Sequence, residues 1–336
     1  MTVPASSQRR GSEKVSAMQQ AKVLIEAKQL FGPHFVFDGV SLGWTTDALC
    51  PIEETLDAVI DLPGHSNERH NQVHLSIRNS GTVNIRALVN WLQSGDAGLM
   101  SHADSNVEDA LKFLNATFRQ DPASRWITRP KTSSFFNRSP SLTLALASTG
   151  GVLEAIRGIH QAVQVTFGHL SLNVDTVCSA FYVPGVNMVD LARALIGVSP
   201  RQNLADPGMS STVMQASDRM IGMFVNVRHL NESRNSNKMR IQKLNSQGAR
   251  GLTFQALNRE TGQSLTTSVY DYFQRRYNTT LQYPDLPLLV TKDGAFPMEL
   301  CFSAAGERYK EALQGAETAD FIKWVCIVFE PCKTRC

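Results

Sequence analysis

The sequence predicts a multidomain α+β protein, and three observations support this prediction. At 336 residues, the chain is long enough for two or three domains with cores of their own. Its hydrophobic fraction of 42% is ordinary for a globular protein. Both the alternating pattern of β-strands and the spacing of amphipathic helices recur along the chain.

The N-terminal part, up to residue 138, is predicted to mix helices and strands. Its first twelve residues are polar and rich in serine and arginine, which predicts disorder. Apolar residues at helical spacing predict a helix from about Ser12 to Leu30, which Gly32 and Pro33 then end. Strand patterns, in Asn71–Arg78 an alternation of apolar and polar residues, predict strands at His34–Phe37, Asp57–Leu62 and Asn71–Arg78. Apolar residues at helical spacing predict helices at Ile85–Leu92 and Val107–Phe118.

The middle of the chain is predicted to be a short β-structure followed by a helix and a loop. Gln164–Phe167 and Leu170–Val174 form two β-runs around a turn at Gly168. Met188–Leu195 is predicted to be helical. Ser199–Ser217 is rich in Pro, Gly and Ser, which predicts a loop. Asp175 stands at a strand end without a carboxylate or histidine spaced to work with it, so we assign it a structural role.

The C-terminal part is predicted to be β-rich. Met220–Val227 and Met239–Leu244 have strand patterns, with a polar connection between them. Ser268–Cys301 then combines an amphipathic helix, a predicted TLQY strand, the double-proline PDLP segment, an LLVT strand and an FPMELC strand. Aromatic rings, arginines and stiff backbone lie close together in this stretch, and that mixture suits a pocket that stacks a base and holds phosphates. A helical lid on a small barrel core would give the same pattern.

Charge is concentrated in one region. The net charge of the whole chain is only +3. The stretch from Asp218 to Gln282, however, contains ten Lys or Arg residues and only four Asp or Glu residues. Such a local basic field would attract a phosphate backbone, although a solvated basic surface would look the same.

The cysteines and the hydropathy pattern indicate an intracellular protein. None of the six cysteines forms a CxxC pair, and no cysteine or histidine spacing fits a zinc site. No apolar stretch has the length of a signal peptide or a membrane span. We therefore expect reduced thiols, no metal or other cofactor, no membrane association, and a cytoplasmic location with the nucleus as the second choice.

The run YDYFQRRYNTTLQYPDLPLL, followed by FPMELC, resembles the second half of the PAZ domain of eukaryotic Argonaute proteins, and the fungal members most. The resemblance implies a PAZ β-barrel (SH3/OB-like) with an inserted hairpin-helix module at residues 218–312. It also implies that this domain holds the 3′ end of a small guide RNA.

Two earlier segments resemble the same family. A helix leading into Phe37-Asp38-Gly39, paired strands and the SFF at Ser134–Phe136 resemble the Argonaute N domain, of which residues 13–138 would be a partial copy. The G-x-x-x-A-x-x-G-x-x-Q run and the LNVD at Leu172–Asp175 resemble the first linker domain, at residues 139–190. Residues 191–217 would be a linker. Residues 313–336 would begin the second linker and end in a divergent or truncated tail.

The resemblance places the RNA site between the barrel and the module. Candidates for its walls are aromatic or apolar, and candidates for its phosphate contacts are arginines. The candidates are Phe254, Tyr272, Tyr277, Tyr283 and Leu286 for the walls and Arg228, Arg240, Arg275 and Arg276 for the phosphates. Phe254 and Tyr272 are preferred, and Phe273 is assigned to the core, because neighbouring helical residues cannot both face one groove.

One position departs from the family. Relatives carry a tyrosine before the R-V pair, and its phenol contacts the terminal phosphate; this chain has Met239 there. Because methionine cannot donate a hydrogen bond, the sequence predicts weakened 3′-end binding, which Met239→Tyr should tighten.

No catalytic motif occurs, so we predict a protein that is not an enzyme. HExxH, GxSxG and phosphate-loop patterns are absent from the sequence. In the family, cleavage belongs to the PIWI domain, and we expect this chain to stop before the MID and PIWI domains. The predicted function is RNA binding in RNA-mediated gene silencing, with a small single-stranded RNA or a duplex 3′ overhang as partner and silencing-complex proteins as further partners. The alternative is a catalytically inactive protein-interaction fragment with no RNA binding.

Overall fold

The computed structural model describes most of the chain in two compact units. The described residues are 28, 30–39, 41–52, 54–61, 72–94, 107–128, 132–166, 168–199, 202–206, 208–227, 238–257, 264–313 and 315–326. The predicted disorder at the N-terminus, most of the first predicted helix, the polar connection before Lys238 and the divergent tail lie outside these ranges. The first unit is Met1–Leu142 with Arg157–Val177, and the second is Thr143–Ile156 with Cys178–Cys336.

Strands and helices are mixed along the described parts of the chain. In chain order the strands are β1 Val36–Phe37, β2 Gly43–Trp44, β3 Thr55–Asp61, β4 Gln72–Arg78, β5 Ser134–Phe136, β6 Thr143–Ala145, β7 Leu153–Thr166, β8 His169–Tyr182, β9 Phe224–Val227, β10 Met239–Arg240, β11 Lys243–Asn245, β12 Thr253–Leu257, β13 Ser264–Ser268, β14 Leu288–Thr291, β15 Gly294–Pro297 and β16 Cys301–Ser303. The helices are α1 Ile85–Ser94, α2 Val107–Arg125, α3 Met188–Leu195, α4 Met209–Gln215, α5 Ser217–Met220, α6 Gly248–Gly251, α7 Val269–Tyr277 and α8 Ala316–Cys326. None of the helices in this described part is both long and apolar enough to cross a membrane.

The first unit has its own small core. Strands β3 and β4 pair in an antiparallel hairpin, and Ile60 and Leu75 from this hairpin pack with Phe35 and Phe37. The predicted alternation in β4 is confirmed where side chains are described, because Leu75 is buried while His74 is exposed. Helix α2 begins at the predicted residue and continues beyond the predicted end, to Arg125.

Arginine and aspartate fix the turn of the FDG segment. The Asp38 carboxylate accepts hydrogen bonds from the backbone of Ser41 and Leu42, at 2.8 and 3.0 Å. Arg119 of α2 donates through Nη1 to the Asp38 carbonyl at 2.7 Å and through Nε to the Thr132 carbonyl at 2.9 Å. Burial lowers the pKa of this guanidinium, but an arginine stays charged at any ordinary pH. Arg119 therefore ties the turn to helix α2.

The linker-like motif has a structural explanation in β7. Ala155 is fully buried. Gly158 lies so close to β5 that an added Cβ would be 2.9 Å from the Phe135 carbonyl carbon. Gln161 donates through Nε2 to the Phe118 carbonyl at 2.7 Å. Small residues and an amide are thus required where β7 meets its neighbours.

Strands β7 and β8 are each 14 residues long, much longer than the two β-runs predicted. The prediction was wrong because the first residues of β7 are buried on both faces, and a continuous buried run has no alternation to reveal it. Both strands pass from one unit into the other.

The second unit contains two three-stranded antiparallel sheets, in the orders β10-β9-β16 and β11-β14-β15. The segment 239–245 is shared between them, because it contributes β10 to the first sheet and β11 to the second. The Ile241 N–H donates to the Met223 carbonyl at 2.9 Å on one side, and the Gln242 N–H donates to the Val290 carbonyl at 2.8 Å on the other. Val225, Leu289 and Cys301 are fully buried in the core. The described strands therefore make two joined sheets and form no closed barrel among themselves, so the barrel part of the prediction is not confirmed.

Two further predictions in this unit need correction. The predicted loop Ser199–Ser217 contains helix α4, because Met209 and Val213 are buried in the core despite the Ser/Gly composition around them. The predicted strand Met220–Val227 begins only at Phe224, since Met220 ends helix α5. Helix α3, by contrast, has the predicted bounds, and its N-cap Asn187 accepts from the Val189 N–H at 2.9 Å.

Candidate nucleic-acid interface

A hairpin and a helix form a compact module in the second unit. Strands β12 and β13 pair over five residues, and α7 follows without a break. Ser268 caps α7 by accepting from the Asp271 N–H at 3.0 Å. Asn278 ends the helix in the left-handed conformation, with φ of 50°. The predicted hairpin-helix arrangement is thus present, with defined caps at both helix ends.

Three rings lie in a row on this module. The ring centroids of Phe254 and Tyr272 are 5.2 Å apart, with an interplanar angle of 71°. Those of Tyr272 and Tyr277 are 6.0 Å apart, at 74°. Phe254 has 38% of its surface exposed, and both tyrosines are half-buried. We call Phe254, Tyr272 and Tyr277 the aromatic row; its edge-to-face geometry holds the rings in place while leaving ring surface accessible.

The opposite face of α7 packs into the core. Phe273 is 3% exposed, as is Val269. The assignment of Phe273 to the core is therefore confirmed, and its ring supports Tyr277 at a centroid distance of 5.4 Å.

Two cations follow the aromatic row. Arg275 and Arg276 occupy the last turn of α7 and are exposed. Within the part of the chain that the structure describes, neither forms an ion pair. Their charge complements the negative C-terminal end of the helix dipole and is available to an anion.

The YPDLP segment is fixed by a residue that the sequence reasoning missed. The Glu299 carboxylate accepts from the backbone N–H groups of Gln282 and Tyr283, at 2.8 and 3.0 Å. Because these N–H groups bind a side chain, the TLQY run is not the strand that was predicted. A lone acid between apolar residues in FPMELC was the available signal.

The other predicted site residues lie in different surroundings. Tyr283 is half-buried against the core cluster. Leu286 is 3% exposed within that cluster, so its side chain has almost no surface to offer a ligand. Arg240 is exposed on β10, beside Gly222. Arg228 lies outside the described residues.

Met239 does not face solvent. Its side chain is 7% exposed in the core cluster, and its sulfur accepts from the Thr291 hydroxyl at 3.9 Å. The expectation that Met239→Tyr tightens RNA binding stays a prediction, to which the structure adds that a tyrosine would have to fit its ring into a packed core.

We expect Met239→Tyr to lower the free energy of unfolding by about 1–3 kcal/mol, the usual cost of overpacking. Urea unfolding followed by circular dichroism measures this change. Met239→Leu is the matched control and should cost less than about 1.5 kcal/mol, because it nearly conserves volume. Equal stability of Met239→Tyr and the unaltered protein would show that the position has room for a ring.

A polar cleft in the second unit is lined by residues that stabilise the fold, Tyr182 and Arg219 among them. The Tyr182 hydroxyl donates to the Arg219 carbonyl at 2.8 Å, and its ring meets Tyr309 at 5.6 Å. Burial raises the pKa of both phenols, so they stay protonated. The described residues include no group of His, Cys, Asp and Glu that could hold a metal ion.

Comparisons with known proteins agree with this fold. The Argonaute linker 1 domain model matches residues 130–183, and the PAZ domain model matches residues 190–322. The chain is 26% identical over 306 residues to the argonaute protein of Schizosaccharomyces pombe, over 89% of this chain and 34% of that protein. The fold is similar to Kluyveromyces polysporus Argonaute, solved with a guide RNA, with a TM-score of 0.50 and 13% identity over 91% of this chain and 34% of that one.

These matches define a protein with a linker 1 domain followed by a PAZ domain. More narrowly, the linker 1 and PAZ domain matches and the argonaute relative confirm the resemblance to Argonaute proteins seen in the sequence. It spans about a third of the length of the relatives that it matches.

Proposed function

We propose that the PAZ domain of this chain binds the 3′ end of a small RNA, with the terminal bases against the aromatic row. The observation that carries this proposal is the row itself, in which an exposed Phe254 ring is braced by Tyr272 at 5.2 Å. Single-stranded RNA ends are held by stacking on aromatic faces together with contacts to phosphate and 2′-hydroxyl groups.

The arginines support the same proposal. Arg275 and Arg276 follow the row on α7 and are exposed, so they can reach a backbone that continues from the stacked bases. The surplus of positive charge between Asp218 and Gln282 acts in the same direction. The proposal is one of binding, within RNA-mediated silencing in the cytoplasm or nucleus, and it assigns no cleavage to this chain.

The test compares two RNA duplexes of equal length. One carries a two-nucleotide 3′ overhang and the other has blunt ends, and fluorescence anisotropy measures the affinity of the full chain for each. We expect tighter binding to the overhang, because only an unpaired end can stack on the aromatic row. Affinity for both should fall as the salt concentration rises.

Equal affinity for overhang and blunt ends would contradict the proposal. Absence of binding to both duplexes would favour the alternative, a protein-interaction fragment without RNA binding.

A further inference from the structure

Two cationic side chains from distant parts of the sequence meet above Gly222. A Cβ placed on Gly222 would be 3.2 Å from Lys310 Nζ and 3.4 Å from Arg240 Nη2. Both charged groups therefore lie around one point on the surface. Gly222, with φ of +84°, leaves that point open.

The backbone under this point is held firmly. The Gly222 N–H donates to the Ile241 carbonyl at 2.8 Å, which fixes the strand position next to Arg240. Lys310 follows Tyr309, whose ring is 6% exposed and whose N–H donates to the Ala180 carbonyl at 2.9 Å. The two side chains thus start from ordered backbone, and their approach does not depend on a loose loop.

The two cations have no acidic partner. Both are exposed, and neither forms an ion pair with any residue that the structure describes. Asp218, Glu307 and Glu311 line a cleft together with Lys310, without an ion pair to it among the described residues. Two like charges near one point repel each other, and an anion between them removes that repulsion.

We propose that Arg240 and Lys310 together bind one backbone phosphate of an RNA. This inference rests on the proposed function, to which it adds Lys310 as an RNA contact and a second place of contact besides the aromatic row. A guanidinium can hold two oxygens of a phosphate, and an ammonium adds a compact charge. The basic surplus around Arg240 favours a nucleic acid over a phosphopeptide.

Salt-dependent binding of a single-stranded RNA by the full chain tests the proposal. Because one phosphate is neutralised, Lys310→Gln should lower the slope of log affinity against log salt by about 0.7, and Arg240→Gln should do the same. The double variant should lower it no further, since both side chains serve the same phosphate. Lys323→Gln removes an exposed lysine on α8, outside the basic region, and is the matched control; it should leave the slope unchanged.

The outcomes separate this inference from the proposed function. The preference for overhang over blunt duplexes should survive in all these variants, whereas a protein without that preference contradicts the proposed function itself. An unchanged slope in Lys310→Gln, an equal loss in Lys323→Gln, or a double variant that loses twice as much overturns the shared phosphate site. Loss of affinity for a phosphoserine peptide with unchanged RNA binding would overturn it as well.

Discussion

Gly158→Ala should lower the free energy of unfolding of the first unit by about 2–3 kcal/mol, at the upper end of the range for overpacking. The added methyl would lie 2.9 Å from the Phe135 carbonyl carbon and closer still to its oxygen. Backbone cannot rotate away as a side chain can, so β5 and β7 must separate. Urea unfolding and hydrogen exchange of the β5 amides measure this effect.

Gly251→Ala is the control for this substitution. A Cβ at Gly251 would meet only Gln247 Cβ, at 3.4 Å, and alanine in a helix is favoured over glycine by up to about 1 kcal/mol. Gly251→Ala should therefore leave stability unchanged or raise it. Equal stability of both variants would mean that β5 and β7 are not in contact at Gly158.

Phe254→Ala should weaken binding of the overhang duplex roughly 5- to 150-fold, because a stacked base contributes about 1–3 kcal/mol. Binding of the blunt duplex should change much less, since its terminal bases are paired. Phe254→Trp keeps a ring at this place and should keep the affinity. Anisotropy with both duplexes measures the difference.

Phe118→Ala provides a matched control. Phe118 is 45% exposed and lies on α2 in the first unit, so it resembles Phe254 in type and exposure but not in place. An equal loss of overhang affinity in both variants would show that the aromatic row is not the contact. Tyr272→Ala should follow Phe254→Ala in direction, because Tyr272 braces the Phe254 ring.

The sequence predicted those features that depend on local pattern. Helix α7 was predicted because its apolar residues recur at helical spacing, and helix α3 was predicted with the bounds that the structure shows. Helix α4 was missed, since its burial is decided by distant core residues around Met209 and not by its Ser-rich composition. Local composition is a weak guide wherever tertiary contacts decide.

The candidate site was partly predictable for the same reason. Tyr272 and Tyr277 stand on one short helix, and the family resemblance added Phe254. The role of Glu299, however, depends on a carboxylate meeting backbone N–H groups 16 and 17 residues earlier. Likewise, Gly222, Arg240 and Lys310 are neighbours only after folding. No spacing rule brings such residues together.

The shared segment 239–245 limits how this domain can tolerate insertions and deletions. Lys243 points to solvent, whereas the next residue, Leu244, is 7% exposed in the core. Removing one residue between Arg240 and Lys243 would reverse these orientations in β11 while β10 kept its own. Surface loops tolerate changes of length better than this segment does. The number of residues between β10 and β11 is fixed, because each strand must keep its own register in a different sheet.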